Sequence, residues 1–135
     1  MKFQYKRLSS GIERPIIPIE LLNGAERINY YALVDSGADI SIFPGEIGEL
    51  LGINVPSGKR DTIGGIVEGE TRSFFIHPIS FKVGGWRYDN VPVGFMPDLS
   101  KVGYGVLGQH GFFNFFVVKF TFSKREVELK DIGRS

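Results

Sequence analysis

One stretch of this 135-residue chain combines the residue types and the spacing that chemistry needs: Ala32-Leu33-Val34-Asp35-Ser36-Gly37-Ala38-Asp39-Ile40-Ser41. An apolar run delivers an acid onto residues that turn the chain. Asp and Ser bond to nearby backbone and Gly accepts unusual dihedrals, so Asp-Ser-Gly by itself describes a turn. A carboxylate directly after Leu33 and Val34 nevertheless lies near the core, where an unpaired charge is costly to bury. It needs a partner or a shared proton, the condition under which a carboxyl group does acid–base work.

Other chemistries find little support. The chain has no cysteine, which removes disulfides, thiolate metal sites and a cysteine nucleophile together and fits a reducing compartment. His77 and His110 are far apart, with no carboxylate at metal-ligand spacing to either, so neither a metal nor a cofactor is expected. The glycines from Gly64 to Gly69 lack the Lys-Ser/Thr of a phosphate loop. Net charge is +1, and the basic residues alternate with acids, as in Lys124-Arg125-Glu126-Val127-Glu128-Leu129-Lys130. That is a solvated face and not a nucleic-acid-binding stripe. No apolar run reaches membrane-spanning length, and Met1-Lys2-Phe3-Gln4-Tyr5-Lys6-Arg7 lacks the apolar core of a signal peptide, so the expectation is a soluble, cytoplasmic protein with no membrane partner. Trp86 with Tyr88 reads more simply as part of a hairpin, in cross-strand pairing, than as a binding surface.

The elements that must position Asp35 are strands. Apolar residues repeat with a period near two, and aromatic and β-branched side chains dominate, which together predict a single all-β domain over residues 1–135. Strands are expected at Arg14 to Leu22 and Arg27 to Val34, joined through Asn23-Gly24, a dipeptide suited to positive-φ hairpin positions. Pro44 to Gly52 predicts one short helix, with Pro before it, acids in its first turn and Gly to stop it. Asp61 to Glu70 is Gly-rich. Thr71 to Val83 and Trp86 to Phe95 flank Gly84-Gly85 as a second hairpin. Tyr104 to Leu107 is short and apolar, and Phe116 to Lys130 alternates around Ser123-Lys124-Arg125 as a terminal hairpin.

The run from Arg14-Pro15 through Asn23-Gly24 to Asp35-Ser36-Gly37-Ala38-Asp39 resembles the N-terminal half of retroviral and retroviral-like aspartic proteases. Two further stretches agree in order and spacing. Ile63-Gly64-Gly65-Ile66 is similar to the glycine-rich flap tip of that family, Gly64 standing 29 positions beyond Asp35. Val106-Leu107-Gly108 resembles the apolar pair and glycine that pass behind the catalytic turn, followed by a short helix, here Phe112 to Phe116. The likeness spans roughly Arg14 to Leu129. It implies a closed retropepsin-like β-barrel with one or two short helices.

The resemblance also implies a mechanism. Two carboxylates share a proton across an aspartic protease site, because two like charges so close cannot both ionise. One acts as base toward water while the other donates to the scissile carbonyl. This chain holds one Asp-Ser-Gly: Asp61-Thr62-Ile63-Gly64 has an extra residue, and Asp98-Leu99-Ser100 lacks the glycine. A homodimer with a two-fold axis through Asp35 would supply the second acid. Asp35, Ser36 and Gly37 then form the catalytic turn, Ser36 bonding across the dimer and Gly37 allowing close backbone approach. Asp39 would meet the backbone of a bound peptide, Leu33, Ala38, Ile40, Ile42, Tyr104 and Val106 would line substrate pockets, and Gly64, Gly65 and Ile66 would close over the peptide as a flap.

Plainer readings of the same residues stand beside these. Ser36 and Gly37 also serve as turn formers, Asp39 as a local cap, the apolar set as core and Gly64 to Gly69 as a surface loop. A catalytically silent module, kept for peptide binding or dimerisation, is the alternative to an endopeptidase. Two features depart from the retroviral pattern. Gln109 stands where those enzymes carry an arginine that pairs with the acid at the Asp39 position. The Phe116 to Lys130 hairpin is longer than the retroviral C-terminal strand and resembles cellular and prokaryotic relatives.

Overall fold

The computed structural model describes residues 1–64, 71–99 and 103–133. The strands are β1 Lys2–Gln4, β2 Lys6–Arg7, β3 Glu13–Arg14, β4 Ile16–Asn23, β5 Glu26–Val34, β6 Ile42–Pro44, β7 Lys59–Gly64, β8 Thr71–Val83, β9 Trp86–Met96, β10 Gly105–Leu107, β11 Phe116–Thr121 and β12 Glu126–Asp131, with one α-helix, α1, at Gly45–Leu50. Six strands, in the order β4-β5-β10-β6-β9-β8, close into a barrel when β8 pairs with β4 through Leu21 and Phe81. The closed barrel with its single short helix is the fold expected from the sequence.

Each barrel strand sends apolar side chains into one core: Ile17, Ile19 and Leu21 from β4, Ala32 and Val34 from β5, and Val91, Val93 and Phe95 from β9 are all buried. Because successive residues of a strand point to opposite faces, this inward set fixes the register and with it the direction of Asp35. Strand β10 threads between β5, to which it is parallel, and β6, to which it is antiparallel, with Val106 opposite both Leu33 and Ile42. Gly105 permits the fit, since a Cβ there would lie 2.4 Å from the Phe43 ring.

Outside the barrel, β7 pairs with β8 alone and stands as an edge strand. A separate sheet, ordered β1-β12-β11, packs below an aromatic cluster in which Tyr88 stacks on Phe81 and Phe115 at centroid distances of 5.1 and 4.6 Å. The Tyr88 hydroxyl donates to the Asp131 carboxylate, which gives the buried phenol its polar partner.

Two local expectations change. Asn23 pairs with Glu26, so the hairpin loop is Gly24-Ala25, and only Gly24 takes a left-handed φ, +59°. Asn23 stays in the strand, where its amide donates to the Leu51 carbonyl at the end of α1. The segment Phe112 to Phe116 forms only a single 3-10 turn, Phe113–Phe115, before β11 begins. Strands β1, β2, β3, β6 and β7 carry too few large alternating side chains to be read in advance. The Gly84-Gly85 turn, with φ of +56° and +90°, and the terminal hairpin form where expected.

Candidate active site

The turn after β5 is held by backbone bonds from two directions. Asp35 N–H donates to Leu107 O at 3.0 Å, and Ala38 N–H closes the turn onto Asp35 O at 3.1 Å. Gly37 N–H donates to Asp35 Oδ1 at 2.9 Å. From behind, Gln109 N–H reaches Ala38 O and His110 N–H reaches Asp39 O, at 2.8 and 2.9 Å. Asp35 is half-buried, while Ser36 and Gly37 are exposed at the tip.

Gly108 and Ser41 lock these two layers together. A Cβ on Gly108 would lie 2.6 Å from the Ile40 carbonyl carbon and oxygen and 2.8 Å from Ala38 O, backbone atoms that cannot swing aside. The Gly108 N–H donates to Ser41 Oγ at 3.1 Å inside the protein. At the tip, Gln109 Nε2 donates to Ser36 O at 2.9 Å. Gln109 thus bonds the turn itself, and Asp39 enters no ion pair among the described residues.

Asp35 opens onto a cavity of about 580 Å³. Seven residues anticipated from the sequence meet there: Asp35, Gly37, Ala38, Asp39, Ile40, Ile42 and Val106. Ser36, Leu33 and Tyr104 are not on its wall. Gly64 ends β7, and Gly65 and Ile66 lie outside the described residues. The rest of the lining is Ile63, expected from the flap resemblance, with Asp61 and Thr62 of β7, Phe74 of β8, Met96, Leu99 and, behind the turn, His110, none of which the sequence singles out for the cleft. Ile42, Phe74 and Met96 are the centre of a second apolar cluster, separate from the barrel core, which Ile40, Ile63 and Leu99 extend. Phe74 reaches this wall because it pairs with Asp61 across β7 and β8, a register that the sequence of either strand does not reveal.

The site can therefore present a carboxylate, steadied by one N–H donor, at the mouth of a mostly apolar cleft with the further acids Asp39 and Asp61 on its rim. Among the described residues no grouping of His, Asp and Glu is arranged to hold a metal ion. Away from the cleft, burial, with the Glu46 carboxylate adding to it, pushes the Tyr30 phenol up. No described helix is long and apolar enough to cross a membrane.

A family profile described as "Aspartyl protease" matches residues 17–110, from β4 to the segment behind the turn. The chain belongs to the aspartyl protease family. The matched span contains all three motifs of the retropepsin-like resemblance in the same order: Asp35-Ser36-Gly37-Ala38, Ile63-Gly64-Gly65-Ile66 and Val106-Leu107-Gly108. Among solved structures, this aspartyl protease chain is similar to a retropepsin-like aspartic protease from Rickettsia conorii, with a TM-score of 0.65, 18% identity and coverage of 96% of this chain and 89% of that one. It is also similar to EIAV protease complexed with the inhibitor HBY-793, with a TM-score of 0.52, 20% identity and coverage of 71% and 82%. At these identities the likeness establishes the retropepsin fold. Comparison with curated proteins gives no match.

Proposed function

We propose that the protein is an aspartic endopeptidase that works as a homodimer, as one retropepsin-like domain over residues 1–135, with a water activated between the Asp35 carboxylates of two copies. The observation that carries this reading is the placement of Asp35, held by Gly37 at the mouth of an apolar cleft large enough for side chains of an extended peptide. Each copy brings one such acid, so the reaction needs two.

In this mechanism the pair shares one proton. The ionised carboxylate takes a proton from water as it attacks the scissile carbonyl, and the protonated one donates to the carbonyl oxygen. The resulting diol collapses as the leaving nitrogen is protonated, and no acyl-enzyme forms. Asp39 meets the peptide backbone and Ser36 bonds across the two-fold axis. Residues Ile63 to Ile66 act as the flap. The open edge of β11, with Val117 and Phe120 exposed along it, gives a second copy backbone groups and apolar surface to engage. The absence of cysteine suits work in the cytoplasm.

The test is cleavage of a diverse peptide library by purified protein from acidic to neutral pH, with Asp35→Asn and a statine-type mimic as controls and the oligomeric state measured in parallel. Cutting lost with both controls supports the shared-acid mechanism. A folded dimer that cuts nothing leaves the silent binding module as the better reading, and a folded monomer removes the basis for one acid per copy.

A further inference from the structure

Every peptide unit from Val34 to Ile40 that makes a bond within this framework is held by backbone, except one. The 34–35 unit is fixed by Leu107 O, the 35–36 and 37–38 units by the Asp35 O to Ala38 N–H bond, and the 38–39 and 39–40 units by the N–H groups of Gln109 and His110. The Ser36–Gly37 unit is held by side chains alone. Its carbonyl accepts from Gln109 Nε2 and its N–H donates to Asp35 Oδ1, both at 2.9 Å.

Carbonyl and N–H of a trans peptide share one plane and point in opposite directions, so a donor that fixes the oxygen also aims the hydrogen. It polarises the unit as well, which strengthens the bond at the far end. Glycine offers no side chain to restrain this plane. We infer that Gln109 is a positioning residue that acts through the Ser36–Gly37 peptide, aiming the Gly37 N–H at Oδ1 of Asp35 and leaving Oδ2 for the shared proton and the attacking water. This rests on the protease reading for its catalytic consequence, though not for the geometry. It also gives Gln109 a task distinct from pairing with Asp39: a side-chain N–H donor is required at this position, and a charge is not.

Gln109→Glu keeps the shape and replaces the donor with an acceptor facing a carbonyl. Gln109→Leu removes the donor without adding charge, and Gln109→Arg restores N–H donors. In full-length protein, the Gly37 amide proton resonance should move upfield and exchange faster with solvent in the Glu and Leu variants, and stay close to its original position in the Arg variant. With a cleavable peptide, kcat should fall roughly ten- to a hundredfold in Glu and Leu with KM little changed, because geometry at the acid is what is lost, and Arg should recover most of it. A Gly37 signal that stays put in both folded donor-less variants overturns the inference, as does an Arg variant as impaired as Leu. If the parent cuts no peptide, the protease reading fails, and the Gly37 resonance still decides whether Gln109 holds the turn.

Discussion

Ser41 is fully buried, and its hydroxyl accepts the Gly108 N–H. Ser41→Ala would strand that N–H away from water, and we expect a loss of about 1–3 kcal/mol in denaturant unfolding. Asp35→Asn should leave stability nearly unchanged and cut turnover by about 10²–10⁴-fold, measured on the same peptide as the parent. The difference between these residues is also a difference in legibility. Asp35, Ser36 and Gly37 announce themselves because their chemistry is local. Ser41 does not, and Gln109 stands out only as a departure from the retroviral pattern, since their partners lie 67 and 73 residues away and neither side chain advertises a contact across that distance.

Among the elements, β5, β6 and α1 meet where Tyr30 packs on Phe43 at a centroid distance of 6.5 Å, near Glu46. Burial first and Glu46 second hold the Tyr30 phenol above its ordinary 10.0. As pH rises past that value the unfolded chain gives up the proton while the native chain keeps it, so the unfolded state binds fewer protons and stability falls until the raised pKa is passed. Tyr30→Phe should flatten this alkaline decline in Tm and change little below it. Strand β7 is a different case, bonded on one side only where the barrel strands are bonded on both. Its amides should exchange with solvent well before those of β4 and β5, which hydrogen exchange read by mass spectrometry would report. The two long hairpins were legible from alternation and turn glycines. Strand β6 was not, because three buried residues, Ile42–Pro44, have no period to read.

For the molecule as a whole, the ordered motifs made the family legible, while the closure of β8 onto β4 was not, because neither strand's pattern names its neighbour. The same holds for the far wall of the cleft. It exists only once the pairing of β7 to β8 and of β8 to β9 brings Ile63, Phe74 and Met96 together. If two copies complete one site, specific activity should fall as the protein is diluted and recover on concentration. Constant specific activity across the dilution range, with monomer present, would mean that one chain suffices.

The threading of β10 between β5 and β6 has a consequence for how the chain is born. The turn at Asp35 is finished only by residues 105–110, which supply its rear layer of bonds. At an elongation rate of about 5–20 residues per second, a ribosome reaches them roughly 4–15 s after it has made Asp35. Throughout that interval the acid sits on an unbraced loop and the barrel has a gap where β10 belongs. A nascent chain that has not yet reached residue 105 thus carries Asp35-Ser36-Gly37 without the bonds that fix the turn from behind, so any acid chemistry at Asp35 waits on the segment 105–110.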